Sequence, residues 1–557
     1  MKYFAVFGSE PSLFHFSAVE FLETARHFDL PITPYTLENS KPYAFLFGKE
    51  AAHFLVFECD NRELLSLVVS RCVLLKAVYV LLHAADTLES LLNRQQPSET
   101  LLVGEKESQF EDGDFSYRVE TIGKRYAGEV KNEIIKKIVA TSSMAADRPV
   151  NYTDPKHAYV VFIQHEVENA VRDSTSGQLD GAVLRVLHGV LFSTSNRGPM
   201  LHRYDLRRRP YIGTTSMPPE ESLLMSNLCG VVRGSVVLDP FCGTGSILVA
   251  AAHYGAQTMG TDADGRAMRA GTNKGKVSPQ LIQQRKLALA CYSAEQLARL
   301  TPEELELPDM WTNFKVYGLP PPDRVRMNFS VWQQTWRSEG GLFDAILTDP
   351  PYGLREPRKK VGEGEGNKPA SYSTHEVVLD LVLFAAEHLV VGGRLAFWHP
   401  TTDHYTDDEL PSHPSMKIQL NLPQRISLKV VRRLVVMEKT SPPPLPRPTR
   451  EECAPKRCAE DLHQLMHQTE AVDNEDYNKY REKKKKRWAA AEGYRAQQQN
   501  SNGEEDNETE GRPRRRRKVE TQEEIVKNRE RKIKEREEKQ LASQRNNAEL
   551  HKKTSPS

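Results

Sequence analysis

The sequence predicts an α/β protein: a doubly wound parallel sheet preceded by a separate α+β region and followed by a charged, disordered tail. Three observations predict it. Residues 234–262 read as strand, glycine loop, helix, second strand and acid. A further apolar strand, Phe343 to Leu347, runs into Asp349-Pro350-Pro351-Tyr352. After Lys439 the composition changes abruptly to proline-rich and then to blocks of charge.

At 557 residues the chain exceeds one ordinary domain and implies roughly two or three folded units with linkers. Its 76 basic and 75 acidic residues nearly cancel, so net charge says nothing about nucleic acid, and only local clustering can. The 7 cysteines form no even framework, which fits reduced thiols in a cytoplasmic protein, with a nuclear location open through the basic tail. Cys453 and Cys458 make one C-x4-C pair without a second pair or spaced histidines, and no metal is assigned to it. The N-terminus reads as a first strand without the marks of a signal or transit peptide. No stretch approaches the roughly 20 apolar residues of a membrane span, so the expectation is a soluble intracellular protein with no membrane partner.

Residues 1–150 alternate strand-like runs (Tyr3 to Phe7, Tyr43 to Phe47, Phe54 to Phe57, and Phe115 onward) with helical segments at Ala18 to Phe28 and Leu64 to Leu75. They hold no phosphate loop and no clustered acids, which suits a binding module. The lysines of Lys124 to Lys137 are a solvated helix face or a phosphate-contacting surface. Residues 151–230 are read as a connecting segment, with a strand at Ala158 to Ile163 and hydroxyls at Thr214, Thr215 and Ser216 before a helix at Glu221 to Leu228. A helix start suits either a bound anion or a simple cap.

Residues 231–440 carry the parallel sheet. Val236 to Leu238 end in Asp239, Gly243 and Gly245 form the loop, and Gln257 to Met259 lead to Asp262. Ligands of such sheets sit beyond the C-terminal strand ends. Glycines let the backbone approach a ligand, and an acid after the second strand can accept both ribose hydroxyls. The third glycine of a dinucleotide loop is missing, with Ile247 and Leu248 in its place, and no Gly-Lys-Ser follows to hold a triphosphate. Asp239 at the first strand's tip repels phosphate and welcomes an ammonium group. An ammonium, a carboxylate and a ribose together describe S-adenosylmethionine. Residues 275–322 read as loop and surface helix, Val325 to Phe329 as a third strand, and Asn328 at its end as a hydrogen-bond partner for the adenine amine. Leu354 to Ala370 reads as a mobile basic loop. Thr374 caps a helix over Val377 to Val390, Gly392 and Gly393 end it, Arg394 to Trp398 form a strand, and Ile426 to Met437 complete the sheet. Residues 441–557 are a Pro-rich linker and a charged tail with too little apolar surface to offset ordering entropy.

An exocyclic amine of a base is a poor nucleophile because its lone pair is delocalised into the ring. Asp349 and the Pro350 carbonyl can accept its two N–H bonds, Pro351 fixes the turn, and Tyr352 can stack on the base for roughly 1 to 3 kcal/mol. Asp349 is an orienting acceptor and the proton's destination after transfer. These residues do not choose among guanine N2, adenine N6 and cytosine N4, and a non-catalytic RNA-binding scaffold is the alternative of another class.

Arg209-Pro-Tyr-Ile-Gly-Thr-Thr-Ser-Met217, Asp239-Pro-Phe-Cys-Gly-Thr-Gly245, Gly260-Thr-Asp-Ala-Asp264 and Leu342-Phe-Asp-Ala-Ile-Leu-Thr-Asp-Pro-Pro-Tyr-Gly-Leu-Arg-Glu356, with Leu389 to Leu395 and Arg432 to Lys439, resemble the catalytic subunits of eukaryotic tRNA guanine(position ten)-N2-methyltransferases. The resemblance implies a Rossmann-like class I methyltransferase domain, an N-terminal THUMP-type RNA-binding domain, S-adenosylmethionine as cofactor, tRNA as substrate, and a small zinc-containing activator subunit as heterodimer partner. It implies that Asp239, Gly243, Gly245 and Asp262 bind the cofactor and that Asp349, Pro350 and Tyr352 hold the guanine amine. Two departures are Asn328, where the family has an acid after the third strand, and the long charged tail.

Overall fold

The computed structural model describes residues 1–8, 11–34, 53–85, 87–93, 101–110, 112–141, 148–165, 183–213, 215–268, 285, 287–337, 340–351, 359–363, 369–402, 404–426 and 430–457. They lie within one compact unit, Met1–Glu470, built on two large sheets.

The first sheet comprises β1 (Lys2–Phe7), β2 (Thr33–Pro34), β3 (Phe54–Glu58), β4 (Leu75–Ala85), β5 (Leu101–Val103), β6 (Phe115–Ile122), β7 (His157–His165) and β8 (Val183–Thr194), in the order β2-β3-β1-β4-β8-β7-β6 with β5 also on β4. Side chains alternate across a strand, and β1 shows the consequence. Tyr3, Ala5 and Phe7 pack with Phe16, Phe21, Leu65 and Val68 of the covering helical segments, while Phe4 and Val6 meet Phe54 and Phe162 on the other face. Helix Arg62–Arg71 is shorter than the expected Leu64 to Leu75 run, because Leu75 already opens β4. The apolar run across that boundary has no period that separates helix from strand. The sheet passes residue 150, since β7 and β8 pair with β6 and β4, so the segment read as a connector supplies two of its strands. The expected strand at Tyr43 to Phe47 lies outside the described residues.

The second sheet comprises β9 (Val236–Asp239), β10 (Gln257–Asp262), β11 (Asp323–Arg326), β12 (Phe343–Thr348), β15 (Leu389–Thr401), β16 (Met416–Arg425) and β17 (Val431–Lys439), in the order β11-β10-β9-β12-β15-β17-β16. The first five run parallel and the last two antiparallel, a doubly wound sheet closed by a hairpin. Several expectations shift. The third strand is Asp323–Arg326, which leaves Asn328 two residues beyond its end. Ser373, not Thr374, caps helix Thr374–His388, in a reciprocal box with Glu376. The strand after that helix begins at once with Leu389, and a strand at Met416–Arg425 had no counterpart in the sequence reading. Helix Met310–Tyr317, within a stretch read as surface, buries Met310, Phe314 and Val316 completely. Part of the expected basic loop forms a two-stranded ladder, β13 (Lys359–Glu363) with β14 (Pro369–Ser371). Among the described residues no helix is long and apolar enough to cross a membrane.

A polar seam joins the two sheets' layers. Arg394 on β15, 2% exposed, donates to Glu23 of helix Ser17–His27 at 3.0 Å and to the Leu228 carbonyl at 2.8 Å, and pairs with Glu438 at 2.9 Å. Glu20, buried completely, accepts from the Val73 and Leu74 amides at 2.9 and 2.8 Å and from Asn227 Nδ2 at 2.7 Å. Burial pushes its carboxyl above the ordinary range. Arg71 completes the seam, donating to Asn227 Oδ1 at 2.9 Å and lying 3.7 Å over the Tyr254 ring.

Candidate active site

The site forms where β10, β9 and β12 end side by side. Val237 and Leu238 are apolar and fully buried, as a central parallel strand requires. Register then places three carboxylates on one rim. Gly260 of β10 lies opposite Asp239, so Asp262 stands two residues further out. On the other side Ile346 of β12 lies opposite Leu238, so Asp349 also stands two residues beyond the level of Asp239. Asp239 is therefore the floor of a notch whose walls end in Asp262 and Asp349.

Asp239 is 2% exposed. Its Oδ1 accepts from the Thr348 hydroxyl at 2.8 Å and from the Phe241 amide at 3.1 Å. Burial nonetheless pushes its carboxyl up to about 7, the two hydrogen bonds opposing and the Asp262 and Asp349 charges adding to the rise. A cation placed in the notch relieves that cost, which is the electrostatic complement of an ammonium group.

The glycine loop is shaped for close approach. Gly243 and Gly245 have φ of 50° and 80°, in the left-handed region that favours glycine. A Cβ on Gly243 would meet nothing within 4 Å, so that face is open, whereas one on Gly245 would press on Met310 at 3.0 Å. The Gly243 amide donates to Asp262 Oδ2 at 2.9 Å, and the Asp264 amide to Oδ1 at 2.7 Å, which holds the second acid against the loop. Asn328 reaches the same rim, since the Met327 amide bonds the Asp262 carbonyl at 3.0 Å, but its Oδ1 accepts from the Ser330 amide at 3.1 Å and so caps a short helical turn. Ser216 also comes to the loop. Its Oγ lies 2.7 Å from Thr244 Oγ1 and accepts from the Gly213 amide at 2.8 Å, rather than capping helix Pro219–Leu228, which has no side-chain cap. Thr215 is exposed beside it, and Thr214 lies outside the described residues.

Asp349 is half-buried, Pro350 is buried and Pro351 half-buried at the end of β12; Tyr352 lies outside the described residues. Three supporting residues were missed. Thr348 bonds Asp239 across the strands. Arg209, 3% exposed, donates to Ser246 Oγ at 2.7 Å at the start of the helix after the loop. Asn313 exchanges hydrogen bonds with the Tyr211 backbone at 2.9 and 2.8 Å, fastening segment 209–217 to helix Met310–Tyr317. Only Arg209 had a sequence signal, as the head of a motif, and a triplet of arginines reads first as surface charge.

Residues 207–303 match the UPF0020 family (RMKL-like, methyltransferase domain). A Dictyostelium discoideum protein named tRNA (guanine(10)-N(2))-methyltransferase TRMT11 is 30% identical over 466 residues, 79% of this chain and 82% of that protein. The chain belongs to the tRNA (guanine(10)-N(2))-methyltransferase family. Other relatives of that name, from Homo sapiens and Saccharomyces cerevisiae, are each 28% identical, over 73% and 69% of this chain and 85% and 83% of their own lengths.

Proposed function

We propose that this chain is an S-adenosylmethionine-dependent methyltransferase acting on the exocyclic N2 amine of the guanosine at position ten of tRNA. The observation that carries the chemistry is the notch itself, a buried Asp239 between Asp262 and Asp349 on three adjacent strand ends. The base and the RNA rest on family membership.

The residues present fit the cofactor. Asp239, destabilised as an anion by burial, takes the ammonium; the open face of Gly243 admits the ligand against the backbone; Asp262, already anchored by two amides, presents its oxygens towards a ribose. When bound, S-adenosylmethionine supplies an electrophilic methyl group. Asp349 and the Pro350 carbonyl, delivered by the end of β12, accept the two N–H bonds of the amine and turn its lone pair out of the ring plane. Consecutive prolines hold the carbonyl in place, so little reorganisation accompanies the charge that develops on nitrogen. Asp349 then receives the proton, because an amine that has gained a methyl group is strongly acidic.

The first sheet is proposed as the THUMP-type RNA-binding part, in support of which helix Gly128–Thr141 buries Ile134 and Ile138 while exposing Lys136 and Lys137. A small zinc-containing activator subunit is proposed as a partner, and the cytoplasm as the location. The test of function is nucleoside and oligonucleotide-fragment mass spectrometry of tRNA from cells lacking the chain, the fragments locating the modified position. Loss of N2-methylguanosine at position ten supports the proposal, and its persistence with loss of N6-methyladenosine or N4-methylcytosine overturns it. The partner is tested by comparing the isolated chain with the co-expressed complex, full activity of the isolated chain refuting the need for one.

A further inference from the structure

The first sheet holds a cluster of ligating side chains remote in sequence from everything used above. His83 on β4 and His188 on β8 are directly opposite in the antiparallel ladder. Their Nδ1 atoms lie 3.4 Å apart with ring planes 8° from parallel. Glu107, in the short turn Glu107–Phe110, brings Oε1 to 3.9 Å from His83 Nδ1 and 3.8 Å from His188 Nδ1. The His188 side chain is fully buried, and those of His83 and Glu107 are each 12% exposed.

We propose that His83, His188 and Glu107 form a structural site for a divalent transition-metal ion, zinc in the first instance. The spacing suits the ion. Bonds of about 2.0 to 2.2 Å in tetrahedral geometry put ligand atoms roughly 3.3 to 3.6 Å apart. The two imidazoles already stand at that separation, and Glu107 needs to close by about 0.5 Å, a small rotation of an unbranched side chain. Two imidazole nitrogens with one carboxylate favour zinc and its neighbours over magnesium or calcium, which take oxygen ligands. Outer support is present as well. The Tyr117 hydroxyl bonds His188 Nε2, so with Nε2 protonated and donating to Tyr117 the Nδ1 lone pair is turned towards the ion. The fourth position is left for water.

The ion would tie segment 104–110 to the sheet. At present the amides of Gly104 and Glu105, bonded to the Leu82 and Leu81 carbonyls at 2.7 and 2.8 Å, hold its start, and the Phe110 carbonyl accepts from Tyr159 at 2.8 Å at its end. Glu107 lies between those anchors.

The test uses the full-length chain, stripped with chelator and titrated with zinc in competition with a chromophoric indicator. Wild type is compared with Glu107→Gln, which keeps the shape of the carboxylate ligand, and with His83→Gln. One zinc per chain is expected, with affinity at least about 100-fold weaker in both variants, and a zinc-dependent rise in Tm that wild type shows and the variants lack. Cobalt substitution adds a visible ligand-field spectrum, expected in wild type and lost in Glu107→Gln. If a variant does not fold, a cobalt spectrum in wild type beyond that of any partner subunit measured alone remains decisive. Zinc carried by a partner subunit is common to all samples and cancels in the comparison. Equal metal content and Tm response in wild type and variants, or no cobalt spectrum, overturns the proposal and leaves a hydrogen-bonded cluster only.

Discussion

Replacing Asp239 by Asn separates the stability of the notch from its use. Moving the carboxyl from its ordinary 3.8 to about 7 corresponds to roughly 4 kcal/mol held against the charged form. The folded chain keeps this proton to higher pH than the unfolded chain. Its contribution to stability therefore falls as pH rises from about 4 to about 7 and is level above that. Asn retains an oxygen for the Thr348 hydroxyl and the Phe241 amide but carries no charge. Asp239→Asn is expected to abolish that decline and to stabilise the ligand-free protein at pH 8 by roughly 1 to 4 kcal/mol. It is also expected to lose a charge-assisted bond of about 1.5 to 3 kcal/mol to the ammonium, weakening S-adenosylhomocysteine binding roughly 10- to 150-fold. Wild-type affinity should rise with pH through about 7, as binding expels the Asp239 proton, and the variant's should not. Urea unfolding at pH 5 and 8 reads the first effect and titration calorimetry the second. A variant less stable than wild type at pH 8, or one that binds the product as tightly, would refute the reasoning.

Asp349→Ala should lower kcat by roughly 100- to 1,000-fold while leaving cofactor affinity and Tm nearly unchanged, since the side chain is half-buried at a strand end; methyl transfer to tRNA beside product binding checks both. The two loop glycines should fail differently. Gly245→Ala is expected to cost about 1 to 3 kcal/mol from its φ and the Met310 contact, read by urea unfolding. Gly243→Ala, with open space around its Cβ, should weaken cofactor binding more than it lowers Tm. Arg394→Met removes the buried cation shared by Glu23 and Glu438 and leaves Glu23 with the more exposed Arg26 at 2.9 Å, which should cost about 1.5 to 3 kcal/mol in unfolding free energy, with Glu23→Gln restoring part of it in the double variant.

The rim was legible because its parts are local. Asp239 with its glycines and Asp262 lie within one βαβ unit, and the Asp349 turn follows its own strand directly, so strand and loop patterns suffice to place them. What failed depends on contacts between distant segments. Thr348 reads as the last residue of a strand, and nothing nearby shows that its hydroxyl crosses to Asp239. Asn328 reads as the end of a strand because Val325 to Phe329 carries no turn signal, yet pairing with β10 ends at Arg326. Met310 to Tyr317 reads as surface amid Pro-rich and acidic neighbours, though burial against Gly245 and Tyr204 needs only that short apolar stretch. His83, Glu107 and His188 are spread over about a hundred residues, and only the β4–β8 register brings the histidines face to face.

The seam around Arg394, Glu20 and Arg71 bears on which partner would deform if RNA is held across both sheets as proposed. Parting helix Ser17–His27 from helix Pro219–Leu228 and β15 would break the Arg394–Glu23 pair and the Glu20–Asn227 hydrogen bond along with the apolar contacts around them, so the closed arrangement is favoured. The distance from the first sheet to the notch is thereby set before any encounter. On the proposed reading a guanine has to leave its own stack to reach Asp349, at a few kcal/mol, and with the two sheets already fastened together the stiffness of the nucleic acid sets that cost.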